Sequence, residues 1–261
     1  MSDEPIRVSN TSYAKYEEVL TKRDEVRKQA FQYERAYVRE FGDLILQVFQ
    51  MKIACIKKKK TIEYCQMYAN RGEVIDRAAL NAFLEKELAE YNQRLDAMIE
   101  ENESSKQGQR VSEADILKIK RIYHRLVKLI HPDINPVTEQ NEELSGLWQR
   151  MIVAYNCNDL KEMEETEVLV LALLEKLDLK TIEVTIPNIE EKIAEIEAEI
   201  GRITSTDPYC YKHLLDDPDL CCEKRETLKK ELAEYEEYER QLDQILDGLL
   251  QEGAGITWRM N

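Results

Sequence analysis

The chain has 261 residues, 43% of them apolar, and its 52 acidic against 37 basic side chains give a formal net charge of −15. That is enough apolar material for a real core, in one large domain or two to three small ones, while the charge repels a phosphate backbone and sets nucleic acid aside as a general partner. Only 8 Gly and 6 Pro interrupt a composition rich in Glu, Lys, Leu, Ile and Ala, which predicts an all-α protein.

The first ten residues, MSDEPIRVSN, lack a basic start followed by an apolar run, and nowhere do about 18 apolar residues follow one another. The expectation is a soluble, cytoplasmic protein without a membrane partner. Six Cys without the dense spacing of a secreted scaffold fit reduced thiols, most of them small core residues.

From residue 11 to 56 there is no Pro and one Gly, and Tyr37, Phe41, Leu44, Val48, Met51 and Cys55 recur at steps of four and three. This predicts one long amphipathic helix, with the basic run at 57–60 complementing its C-terminal dipole and Asn70-Arg71-Gly72 as a turn soon after. Leu84, Leu88, Tyr91, Leu95 and Met98 form a second stripe, up to the break at Asn102 to Gly108. The two are expected to pair as an antiparallel, coiled-coil-like hairpin over residues 11–104.

In the C-terminal third, Pro187 and Asn188 introduce the seam Ile189, Ile193, Ile196, Ile200 and Ile203. Leu228, Leu232, Tyr235, Leu242, Leu246 and Leu249 supply another, interrupted by Glu239. A second hairpin is expected over residues 187–252, with residues 206–219 as its loop. Residues 181–186 (TIEVTI) alternate like a short strand without a partner and are read as an extended linker.

Between the hairpins, over residues 110–180, Ser112 and Asp115 make a capping-box-like helix start, followed by the apolar positions Ile116, Ile119, Tyr123, Leu126 and Ile130. The opposite face carries Lys118, Arg121, Arg125 and Lys128, an anomaly in so acidic a chain. Pro132 ends the helix at His131, and HPDINP is a short loop. A third helix, beginning near Thr138 to Asn141, buries Leu147, Trp148, Met151, Ala154 and Tyr155 against it.

IYHRLVKLIHPDINP followed by LWQRMIVAYNCNDL resembles the central helix, loop and third helix of J-domain (DnaJ-like) co-chaperones over roughly fifty residues. Tyr123 and Leu126 stand where that family has its helical Tyr and Leu, and Trp148, Met151, Ala154 and Tyr155 match its aromatic, aliphatic, Ala and Tyr positions. The resemblance implies docking on a DnaK-type ATPase chaperone: the basic face of Lys118, Arg121, Arg125 and Lys128 meets an acidic groove, and His131, Pro132 and Asp133 stimulate ATP hydrolysis. The protein itself would be no enzyme and need no cofactor.

The departures are a missing aromatic helix with Leu-Gly upstream, for which the end of the long N-terminal helical segment (AEYNQRLDAMIEEN) would substitute. The Gly/Phe linker and CxxCxGxG zinc modules are absent, and Leu129 and Ile134 stand where the family often has Lys.

Plainer readings stay open. His131 can serve as a helix C-cap whose imidazole meets the last carbonyls, and the basic stripe as a solvated face or an intramolecular partner for the acidic C-terminal seam. The alternative function is a helical scaffold or interaction protein with a degenerate J-like module. Cys210, His213, Cys221 and Cys222 share one region but lack knuckle spacing, so no metal is expected there. A metal-dependent or regulatory enzyme built on them is the remaining reading, without a Gly-rich phosphate loop, a G-x-S-x-G elbow or H-E-x-x-H to support it.

Overall fold

The computed structural model describes residues 10–106, 111–177, 188–251 and 258–259. They form an all-α protein. The elements are α1 (Asn10–Arg71), β1 (Ile75–Asp76), α2 (Arg77–Lys106), α3 (Glu113–Ile130), α4 (Val137–Gln140), α5 (Glu142–Cys157), α6 (Leu160–Lys176), α7 (Ile189–Thr204), α8 (Tyr211–Asp216), α9 (Pro218–Gln251) and β2 (Trp258–Arg259). The strands amount to one two-residue parallel pairing. Among the described residues no helix is long and apolar enough to cross a membrane. The extended linker expected at 181–186 lies outside the described residues.

Contacts divide the chain into two units, Met1–Glu34 with Gly108–Lys212, and Arg35–Gln107 with His213–Asn261. This differs from three consecutive segments. The N-terminal helix is longer than the apolar stripe from Tyr37 suggests: α1 continues to Arg71 and closes at Gly72, φ +66°, where the Gly72 N–H donates to Ala69 O and the Glu73 N–H to Tyr68 O. Its two portions bury different seams, so the two C-terminal stripes part company. α7 joins the first unit and α9 the second, in place of one hairpin at 187–252.

In the second unit, the later portion of α1 runs antiparallel to α2, as Asn102 Nδ2 donates to Asp43 Oδ1 (2.8 Å) and Lys60 pairs with Glu87 (2.9 Å). It runs parallel to α9, since Arg225 pairs with Glu40, Phe41 packs with Leu228, and Ile62 packs with Leu242. The 57–60 run is therefore interior to the helix: Lys58 reaches Glu239 (2.9 Å) and Asp243 (2.6 Å) on α9. The interruption of the Leu seam at Glu239 is a charged contact in this packing. Residues 206–219, expected as loop, contain α8.

Glycines at two positions should answer Ala substitution with opposite signs. A Cβ on Gly42 would meet the Asn102 side chain and Val38, whereas one on Gly201 meets nothing within 4 Å. Gly201→Ala should gain about 0.5–1 kcal/mol from helix propensity, and Gly42→Ala should lose about 1 kcal/mol as the clash outweighs that gain. Thermal melts of the two variants check this, and equal shifts would contradict the packing of α1 on α2.

The first unit has one core. Tyr16, Val19 and Leu20 of α1, Ile119, Tyr123 and Leu126 of α3, Trp148, Met151 and Tyr155 of α5, Met163 and Val170 of α6 and Ile193 of α7 meet in it. Three of its helices, α3, α5 and α6, start on a side-chain cap. The Ser112 hydroxyl accepts from Asp115 N–H, the Asn141 side chain from Leu144 N–H, and the Asp159 side chain from Glu162 N–H. Asn158, left-handed at φ 55°, and Asp159 make a two-residue turn that sets α6 antiparallel to α5.

Candidate functional site

The loop 131–136 is fixed before any partner is considered. The His131 N–H closes α3 on Val127 O, Ile134 N–H and Asn135 N–H both donate to His131 O, and Asn135 Nδ2 donates to Leu129 O at 2.8 Å. His131 is thus the C-cap of α3, but its ring does not meet the last carbonyls. Its Nδ1 accepts from the Asp133 N–H (3.0 Å), and its edge packs on Trp148 with centroids 4.7 Å apart.

The His131 side chain is only 3% exposed, because α1 covers it. Arg23 Nη2 lies 3.2 Å from His131 Nε2, Arg23 Nε donates to Asp24 Oδ1 at 3.1 Å, and Arg23 Nη1 reaches Asp133 Oδ2 at 3.4 Å. Asp24 also accepts the Tyr123 hydroxyl at 2.7 Å, and Tyr123 stacks on Tyr155 at 3.8 Å. Lys28 completes the layer, its Nζ 3.7 Å over the Tyr155 ring, without a hydrogen-bond partner and with a pKa pushed down to about 8 by burial.

Two donors, the Asp133 N–H and the Arg23 guanidinium, face the two ring nitrogens of His131. A neutral imidazole can accept only one of them, and an imidazolium neither. Burial is the main cause holding the His131 pKa below its usual 6.5; Asp24 and Asp133 pull it up, and Arg23 and Arg27 push it further down. With the folded pKa lowered, the unfolded chain binds the extra proton first. The first unit should therefore be most stable above pH 6.5 and lose stability as pH falls from 6.5 towards the folded pKa. Denaturation series at several pH values should show this loss shrinking in His131→Gln, and an identical slope in that variant would assign the dependence elsewhere.

The expected site residues divide. Lys118, Arg121, Arg125 and Lys128 share the exposed side of α3. Lys128 pairs with Glu17 of α1 (2.6 Å), Arg125 with Glu167 of α6 (2.7 Å), and Lys118 reaches Asp115 (4.0 Å). The intramolecular acids are thus on α1, α3 and α6, not on the C-terminal seam. Such exposed pairs hold a side chain by about 0–1 kcal/mol each and are open to exchange. Pro132 is half-buried, and the Asp133 side chain is 43% exposed. Ile134 is fully buried and Leu129 packs against the same core, so apolar residues stand at both of these positions because the protein covers them.

Sequence reasoning missed Arg23, Asp24 and Lys28. Their signal was present: they interrupt the stripe Tyr16, Val19, Leu20, Val26 and Ala30, and a charge inside an apolar stripe calls for a buried partner. The segment AEYNQRLDAMIEEN, expected to back the module, belongs to α2 in the second unit, and the start of α1 takes that place in the core.

The Cys-His region forms no cluster. Among the described residues no three His, Cys, Asp or Glu side chains could hold a metal ion, and Cys221 is buried beside Phe41 with its thiol donating to Leu214 O. Compared with known proteins, the chain matches no family model, no curated protein and no solved structure.

Proposed function

We propose that this protein is a J-domain-like co-chaperone or chaperone-recruiting adaptor that docks on a DnaK-type ATPase chaperone and stimulates its ATP hydrolysis. One observation carries the reading: an exposed basic face on α3 leads into a rigid loop in which the Asp133 carboxylate stays accessible. Lys118, Arg121, Arg125 and Lys128 would steer an acidic partner, and Pro132 and Asp133 would make the contact at little entropic cost. His131 would act from beneath, holding the Asp133 N–H and thereby the loop. The protein itself would hydrolyse nothing, and the second unit, in which α2 and α9 pack on the later portion of α1, would present the module or bind a client.

A second reading, a helical scaffold with a degenerate J-like module, is favoured by the burial of His131 and by the tie between Arg23 and Asp133. Single-turnover ATP hydrolysis by the same organism's DnaK-type chaperone separates the two. Acceleration by this protein is the expected result; an unchanged rate at saturating protein would overturn the co-chaperone reading and leave the scaffold.

A further inference from the structure

The outer side of the α5/α6 pair is apolar where a helix would ordinarily be polar. Residues 168–174 of α6 read VLVLALL. Val170, Leu173 and Leu174 enter the core, whereas Val168 (66%), Leu169 (44%) and Leu171 remain exposed. A helix that is apolar all round is ordinarily covered all round, and clustered exposed apolar side chains mark a contact surface. Alongside, Gly146 and Leu147 of α5 with Ala172 and Leu173 of α6 line an open groove of about 490 Å³. A Cβ on Gly146 would meet nothing within 4 Å, so this surface admits a closely approaching helix.

The charges around the groove are arranged by sign. On α5, Glu142 and Glu143 stand at the start and Arg150 two turns later; on α6, Glu165 stands near the start and Lys176 at the end, three turns on and on the same face. Apart from Lys161, which pairs with Glu165 (3.8 Å), and Glu175 beside Lys176, the rim of each helix presents acid first and base last. A second identical surface laid antiparallel sets Glu165 opposite Lys176 and Glu142 opposite Arg150, each twice. A parallel arrangement sets like against like.

We propose that this face pairs with the same face of a second copy of this chain, the α6 helices antiparallel about a twofold axis, in the isologous manner of a homodimer. Val168, Leu169 and Ala172 form the dry centre, and the carboxylates and cations close the two ends. Arg150 already holds Glu162 and Glu165 within its own chain, so in the pair it is shared rather than newly neutralised. Two helix faces of about 18 Å length bury roughly 800 Å² in total, below the roughly 1,200 Å² of standard stable complexes. The dimer is accordingly weak and concentration-dependent.

Sedimentation of the full chain across the micromolar range tests this. The expected result is a reversible monomer–dimer equilibrium with a dissociation constant on the order of 10–100 µM. Leu169→Glu should raise it at least tenfold with the helical circular dichroism unchanged, because Leu169 is not a core residue. Lys176→Glu should weaken association, and adding Glu165→Lys to it should restore association. A chain that stays monomeric at high micromolar concentration would overturn the proposal, as would a dimer indifferent to Leu169→Glu. Failure of the double reversal to rescue Lys176→Glu would overturn the antiparallel pairing.

Discussion

Asp24→Ala should destabilise the first unit by about 3–5 kcal/mol, the largest single effect expected outside the apolar core. Asp24 is buried and accepts hydrogen bonds from the Arg23 guanidinium and the Tyr123 hydroxyl, with Arg27 and the His131 ring just beyond at 3.9 and 3.7 Å. Its removal leaves a buried cation with weaker partners, Asp133 at 3.4 Å and Glu199 at 4.0 Å, and a buried hydroxyl with no acceptor. Tyr123→Phe removes only the hydroxyl and should cost about 1–2 kcal/mol, while the double variant should lose less than the sum because the shared bond is counted once. Hydrogen exchange of the α3 amides reports this unit specifically. Protection within about 1 kcal/mol of wild type in Asp24→Ala would show that the charged layer contributes little.

Asp133→Asn should abolish stimulation of the chaperone ATPase while leaving the helical fold in place. The side chain is nearly half exposed and its bond to Arg23 is long, so the folded state has little to lose. Reversing Arg121 and Arg125 should act on a different quantity, lowering the association rate by roughly ten- to a hundredfold, and wild-type docking should weaken as salt rises. Leu126→Ala is the contrasting case: fully buried, it should loosen the whole unit by about 2–5 kcal/mol. His131→Gln should impair both fold and docking, since the ring is a buried strut under the loop. Full stimulation by the Asp133→Asn protein, or binding insensitive to salt, would remove the docking mechanism and leave the scaffold reading.

Much of the helical architecture was legible because its causes are local. The periodicity of Ile119, Tyr123, Leu126 and Ile130, the Ser112 start and the stop at Pro132 are all properties of short windows, and α3 forms accordingly. The pairing of helices was less legible. A stripe such as Ile189, Ile193 and Ile196 states that a face will be buried but not against what, and it went to the start of α1 rather than to the Leu seam of α9. The α1 stripe is regular only from Tyr37 on, whereas the earlier one through Tyr16 and Leu20 is broken by the charges of Arg23 and Asp24 that lie beneath the loop. The basic face was legible as charge, but its anionic neighbours Glu17 and Glu167 come from distant stretches, a long-range fact that spacing within α3 cannot carry.

The way α1 and α7 complete the core of α3 to α6 also bears on how such a chain can be inherited or rearranged. A segment cut out at residues 110–180 would leave behind Tyr16, Val19, Leu20 and Ile193, and would part the Tyr123 hydroxyl from its carboxylate. Grafted elsewhere, that segment would arrive with an open apolar wound and with His131 uncovered, needing a host helix that offers an Arg-Asp pair at the right height. The hairpin is therefore not a transplantable cassette. Recombination could exchange it only together with the beginning of the chain, which ties the fate of its loop to residues about a hundred positions upstream.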